Sequence, residues 1–148
     1  VTIQAQILEL LRELIRDRDT ALILITHDLG VVAGMCERVH VMYAGMFAET
    51  GTAADLFAQP RHPYTVGLLQ SVPRLDAKRG QKLQPIDGFP RDMLSAPTAC
   101  AFSPRCRYVT GGCLGEVPSL RELAPGHNAR CINPVSAGTW SAAEVGRA

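Results

Sequence analysis

The sequence predicts an α/β layer followed by a small, loop-rich, cysteine-bearing extension, and three observations predict it. A helical apolar period opens the chain, two short strand-like runs flank a capped helix, and four cysteines cluster among Gly and Pro towards the end. In the opening segment Ile3, Ile7, Leu10, Leu11, Leu14 and Ile15 recur at helical spacing, with Glu9, Arg12, Glu13, Arg16 and Asp17 filling the other face, which defines an amphipathic helix to about Arg18. After Asp17-Arg18-Asp19-Thr20, the continuous apolar run Ala21-Leu22-Ile23-Leu24-Ile25 suits a parallel strand buried on both faces. Asp28 is placed to cap a short helix through about Met35, Arg38–Tyr43 alternates as a second strand, and Ala44-Gly45 turns the chain into Met46–Thr50 as the return arm of a hairpin. Gly51-Thr52 ahead of Ala53–Phe57 has the order of turn, cap and helix. Helix, buried strand, helix and strand in that order imply an α/β layer.

Around Pro73 the texture changes. Ala77-Lys78-Arg79-Gly80-Gln81-Lys82 is basic and weakly patterned, and Pro85, Gly88, Pro90 and Pro97 punctuate the next stretch, as in a linker. Residues 100–131 are rich in Cys, Gly and Pro without a sustained period, which predicts loops held by something other than a large apolar core. The tail carries the single Trp140 among small residues and is expected to fray.

Bulk properties exclude several classes. A formal net charge of +1 with 47% hydrophobic and 20% charged residues suits a globular chain with a sizeable core and gives no long-range field to attract nucleic acid or anionic lipid. The longest apolar run, Ala21–Ile25, is far short of the roughly 20 residues a spanning helix needs. Val1 in place of an initiator Met, ahead of an amphipathic segment, suggests a truncated sequence rather than a signal peptide. Five cysteines without an export signal point to a reducing compartment, where clustered thiols bind metal more often than they pair.

His27 comes directly after the expected buried strand and Thr26, and ligands of open α/β sheets bind beyond the carboxyl ends of strands. A neutral imidazole there can both donate to and accept from a terminal phosphate. Val1-Thr2-Ile3-Gln4-Ala5-Gln6-Ile7-Leu8, then Leu24-Ile25-Thr26-His27-Asp28-Leu29, then Val41-Met42-Tyr43-Ala44-Gly45 resembles, in order and spacing, the part of an ABC ATPase that lies after its Walker B and D-loop segments. The resemblance implies that His27 is the switch residue that contacts the γ-phosphate of ATP bound with Mg2+. No G-x-x-x-x-G-K-[ST] run occurs in the 148 residues, and the signature motif and Walker B carboxylates are likewise missing. The chain by itself is therefore expected neither to bind nor to hydrolyse ATP.

Pro60-Arg61-His62-Pro63-Tyr64-Thr65 reads physically as a turn and helix start, with Pro63 at the first helical position and His62 held extended before it. It also resembles the marker that opens the C-terminal extension of oligopeptide, dipeptide and nickel transporter ATPases. That resemblance gives His62 and Tyr64 a structural role in seating the extension.

Cys100, Cys106, Cys113 and Cys131 are spaced C-x5-C-x6-C-x17-C, with Cys36 apart. Four thiolates suit either a tetrahedral zinc or an iron–sulfur centre. Zinc knuckles use tighter pairs, so the wide spacers favour the bulkier cluster, while free thiols or two disulfides remain the alternative. His127 could replace one cysteine, and Cys36, beside apolar neighbours, is expected as a buried packing residue. Residues 97–106 with Cys113, Pro118, Leu120, His127, Arg130 and Cys131 resemble the extension of the peptide-transporter ATPases, in which such cysteines can hold a four-iron four-sulfur cluster. The sequence departs from that pattern at Ala99, where a glycine is common. The role expected of any metal is to staple the module. Arg105, Arg107 and Arg130 raise the question of a nucleic-acid module, but four Phe, three Tyr and one Trp in the whole chain offer little stacking surface, and nucleic acid is not an expected partner.

The organisation expected is the C-terminal half of a P-loop ABC ATPase domain over 1–72, a linker over 73–96, the cysteine extension over 97–134 and a tail over 135–148. The resemblance implies a subunit that pairs head to tail with a second ATPase subunit and docks on two transmembrane permease subunits. It would serve a peptide-binding protein and sit peripherally on the cytoplasmic face of the inner membrane. Dipeptide, oligopeptide and nickel all remain open as the solute, and the competing class is a cysteine-ligated metal-binding interaction or regulatory module that works without nucleotide.

Overall fold

A computed structural model describes residues 3–18, 20–72, 85–92 and 94–136. Most of the expected linker (73–84 and 93) and of the tail (137–148) lies outside the described residues. The chain divides into two compact units, Val1–Cys36 and Glu37–Ala148. The hairpin of residues 38–52 shares a sheet with two strands of the cysteine region.

In the first unit, α1 (Ile3–Arg18) forms where the apolar period predicts it and ends on Arg16 and Arg18, cations favourable at a helix C-terminus. Arg12 pairs with Glu9 at 3.0 Å and donates to the Gly34 carbonyl at 2.8 Å. None of the α1 residues is buried, and Ile3, Ile7, Leu10 and Leu14 stay exposed. The helix α2 (Leu29–Met35) is capped by Asp28, whose Oδ1 accepts from the Gly30 and Val31 amides at 2.9 and 3.1 Å. The expected strand Ala21–Ile25 is a correction: residues 20–26 adopt no regular structure, and Ile23 and Ile25 are 89% and 94% exposed. A buried parallel strand owes its stability to flanking strands that satisfy its amides and carbonyls, and among the described residues no strand pairs with this run. Cys36 is half-buried at the C-cap of α2, not fully packed as expected.

The second unit holds β1 (Arg38–Tyr43), β2 (Met46–Thr52), α3 (Ala53–Ala58), α4 (Pro63–Gln70), 3₁₀ turns at Ser103–Arg105 and Gly111–Leu114, β3 (Arg121–Ala124) and β4 (His127–Ala129). It is a small mixed α/β domain whose sheet runs β1-β2-β4-β3 with every neighbouring pair antiparallel, not the parallel layer the strand–helix order suggests. The hairpin turn has positive φ at both Ala44 (49°) and Gly45 (76°), the geometry that matches the twist of two-residue hairpins. Between Val41↔Glu49 and Met42↔Phe47 the register skips Ala48, a bulge in β2. The close packing at Gly51 has a definite cause: a Cβ there would meet Leu56 Cδ1 at 2.6 Å and His127 Cδ2 at 3.3 Å. Thr52 caps α3 by accepting from the Asp55 amide at 3.1 Å. His62 caps α4 with Pro63 at the first helical position, as read from the sequence.

An aromatic cluster joins three elements of this unit. Tyr43 of β1 lies 4.7 Å from Tyr64 of α4 and 5.2 Å from Phe102 of the cysteine loop, and Phe102 is 5.4 Å from Tyr64 and 5.9 Å from the His62 ring. The Tyr43 hydroxyl is buried without a hydrogen-bond partner among the described residues.

Candidate functional site

In the first unit His27 stands exposed between the apolar segment and the capped start of α2. Thr26 Oγ1 accepts from the Asp28 amide at 3.0 Å, and the Asp28 carboxylate is engaged in capping. The two residues around His27 are thus used to hold the backbone, and the imidazole is left at the surface. It lies at the end of an irregular segment, not of a formed strand. No G-x-x-x-x-G-K-[ST] run occurs in the sequence to supply a phosphate-binding loop beside it.

In the second unit the chain gathers the thiols through short turns. Cys100 and Cys113 are tied by an amide-to-carbonyl bond at 3.0 Å, and the Ser103 amide returns to the Cys100 carbonyl at 3.0 Å. Cys106 Sγ accepts from the Tyr108 amide at 3.3 Å, and Cys131 accepts from the Asn133 backbone. These two thiols therefore sit in separate turns of the same kind, each receiving an amide from the residue two positions on. Thr110 Oγ1 lies 3.4 Å from Cys113 Sγ. Cys113 and Cys131 are buried, while Cys100 and Cys106 are half-buried.

Burial pushes the Cys131 thiol up to about 12, and nearby Cys106, Cys100 and Cys113 add to the rise against the lowering Asn133 amide. Cys106 is raised too, first by burial and then by Cys100 and Cys113, with the Tyr108 amide opposing. Cys106 and Cys131 thus lie within electrostatic reach of the other thiols. Even so, among the described residues no three His, Cys, Asp or Glu side chains are gathered tightly enough to hold one metal ion. Charge is felt well beyond the length of a coordination bond.

Between the thiols and the hairpin lies a polar hub that the sequence does not announce. Glu49 of β2 is completely buried. Its Oε1 accepts from the Arg61 amide at 2.6 Å and faces His127 Nε2 at 2.7 Å, while Oε2 accepts from the His62 amide at 2.9 Å. One carboxylate thereby ties β2 to β4 and to the entry of α4, where a negative charge also favours the helix N-terminus. Because its Nε2 faces Glu49, His127 belongs to this hub. His62 Nδ1 accepts from the Tyr64 amide at 3.0 Å, and its ring also bonds the Arg130 backbone. Desolvation pushes this imidazole down to about 4, with the Arg130 contact pulling the other way. The ring is neutral at pH 7 and works as a bridge between α4 and the strand that leads to Cys131. Alternation along Met46–Thr52 marks a strand but does not reveal that its one carboxylate faces inward; only the position of β4 makes that choice.

Residues 48–113 match the family described as the oligopeptide/dipeptide transporter, C-terminal region. The chain is 51% identical to the oligopeptide transport ATP-binding protein OppD of Escherichia coli over 135 residues, which are 91% of this chain and 40% of that protein. It is 53% identical to the dipeptide transport ATP-binding protein DppD of Bacillus subtilis over 131 residues, 88% of this chain and 39% of the relative. The OppD of Haemophilus influenzae is 53% identical over 113 residues, 76% of this chain and 35% of that protein. The chain spans about 40% of the length of the first two of these relatives. Among the described residues no helix is long and apolar enough to cross a membrane. By these matches residues 48–113 belong to the family of oligopeptide/dipeptide transporter C-terminal regions, and most of the chain is similar to part of the ATP-binding proteins of such transporters.

Proposed function

We propose that this chain is the C-terminal part of an ATP-binding subunit that powers peptide import, with His27 as the residue that senses the terminal phosphate of ATP. The observation that carries this reading is the 51% identity over 91% of the chain to an oligopeptide transport ATP-binding protein. His27 lies within the segment that resembles the ABC ATPases, and its exposure supports a ligand contact. An imidazole there would donate an N–H to a phosphate oxygen.

In this reading the residues present do not make a nucleotide site by themselves. The phosphate-cradling loop and the ligands of Mg2+ would come from the rest of the subunit, whose sheet would also flank Ala21–Ile25 and give that run the ladder it lacks. A second, homologous ATPase subunit bound head to tail, membrane-spanning permease subunits and a peptide-binding protein complete the system in this reading. The subunit would act at the cytoplasmic face of the inner membrane.

The soft donor set of Cys100, Cys106, Cys113 and Cys131 fits a thiolate-held centre, and the amides that Cys106 and Cys131 accept would stabilise the ligated sulfurs. A single zinc, with Zn–S near 2.3 Å, draws tetrahedral thiolates to about 3.8 Å of one another. In this reading the wide spacing of the four cysteines along the chain suits a four-iron four-sulfur cluster, with zinc as the alternative. Such a group would cross-link the loop of residues 97–114 to the segment after β4. Anaerobic purification should yield a brown protein with iron and acid-labile sulfide; a colourless protein with stoichiometric zinc would replace the cluster. For His27 the test uses the complete subunit. His27→Ala should lower ATP hydrolysis by about 100-fold, as loss of a transition-state donor does, with peptide uptake falling alongside and MgATP binding retained. Hydrolysis at the wild-type rate would remove the histidine from the mechanism.

A further inference from the structure

Three of the thiols, Cys100, Cys106 and Cys113, ride on one loop, whereas Cys131 approaches from the end of β4. A four-thiol site is complete only if that separate segment is held in register with the loop. The residue before Cys131 does the holding. The Arg130 amide donates to the Ala48 carbonyl at 2.8 Å, its Nε donates to the Phe47 carbonyl at 3.0 Å, and its Nη1 donates to the Pro118 carbonyl at 2.9 Å. Two of these acceptors are consecutive carbonyls of β2 where the bulge lies, and the third belongs to the chain entering β3. Beyond the cysteine, Arg121 Nη2 donates to the Ile132 carbonyl at 3.0 Å, so the backbone is gripped on both sides of Cys131.

A planar guanidinium with fixed donors orients what it binds in a way an ammonium on a flexible stem cannot. Charge-assisted bonds to carbonyls are also among the stronger neutral-acceptor contacts. We propose that Arg130 is the positioning residue of the four-thiol site, holding Cys131 against the loop that carries the other three thiols before any metal arrives. The proposal rests on reading the four cysteines as one site. In consequence the edge of β2, and not the metal alone, sets where the fourth ligand stands, and the site is prepared in the metal-free chain.

The test is pulse alkylation of the whole metal-free, reduced chain, with each thiol followed by mass spectrometry, in wild type, Arg130→Ala and Arg130→Lys. Loss of the forked bonds should speed modification of Cys131 by about tenfold, the scale of one or two charged hydrogen bonds. Cys100, Cys106 and Cys113 should stay within about twofold of wild type, as expected when opening is local. Should Arg130→Ala loosen the entire unit and expose all four thiols, Arg130→Lys decides, because it keeps the stem and charge but lacks the fork. Selective acceleration at Cys131 in either variant upholds the proposal. A wild-type Cys131 rate in both variants, or equal acceleration of all four thiols in both, overturns it. Reconstitution with ferrous iron and sulfide supplies the separate check: after loading, Arg130→Ala should release iron to a chelator at least about tenfold faster, as supporting-residue losses do. If the wild-type chain takes up neither iron with sulfide nor zinc, the metal reading fails while the alkylation contrast still decides the role of Arg130.

Discussion

The run Ala21–Ile25 and the strand Met46–Thr52 meet opposite fates, and not the ones hydropathy assigns. The first is uniformly apolar, yet it is irregular and Ile25 is 94% exposed; the second carries Glu49 at its centre, and that carboxylate is 0% exposed. The difference lies in neighbours. β2 has β1 on one side and β4 on the other, and the groups that face Glu49 are supplied by residues 61, 62 and 127. The apolar run has no flanking strand among the described residues, so its sequence specifies a strand that this chain alone does not complete. A charged group is tolerated in the interior when its partners are in place, and an apolar one remains outside when no partner covers it.

The sharpest way to break this comparison is to remove the group on which the second unit converges. Glu49→Ala strands two amides and His127, and should cost about 3–5 kcal/mol in urea unfolding followed by circular dichroism, the scale of a broken buried pair. A loss below about 1 kcal/mol, the level of an exposed pair, would mean that the hub is incidental.

Acid should produce the next largest effect, through His62. Its ring stays neutral in the fold down to about 4, whereas the unfolded chain takes up the proton near 6.5. The contribution is complete above pH 6.5 and is lost progressively as pH falls from 6.5 to about 4, by about 3 kcal/mol in all. In His62→Gln that segment of the stability-against-pH curve should flatten. Smaller again, Tyr43→Phe removes a buried hydroxyl that has no partner among the described residues and should raise stability by up to about 1 kcal/mol. Smallest of all, Ile23→Ser with Ile25→Ser should leave the chain within about 0.5 kcal/mol of wild type, as for surface changes. The same pair placed in a complete subunit should destabilise it clearly.

These contrasts mark how far the sequence was legible. Local signals were read well: the α1 period, the Asp28 cap, the two-residue turn at Ala44-Gly45 and Pro63 at the first position of α4 all depend on residues close in the chain. The pairing of β4 with β2, the contact of His127 with Glu49 and the grip of Arg130 on Phe47 and Ala48 join residues about 80 apart in the chain, which no local pattern encodes. The same limit explains the failed strand, since Ala21–Ile25 has the composition of a core strand but needs pairing partners that composition does not supply. At the candidate sites, the residue types at 27, 100, 106, 113 and 131 could be nominated from spacing and resemblance. The buried carboxylate hub at Glu49 could not.

In the proposed reading the chain carries the phosphate-sensing histidine but not the groups that hold the phosphates. Calorimetric titration of the purified chain with MgATP addresses this directly. The expected result is no binding heat from the chain alone and saturable binding once it is joined to the P-loop-bearing remainder of the subunit. Saturable heat from these 148 residues by themselves, persisting in His27→Ala, would contradict it.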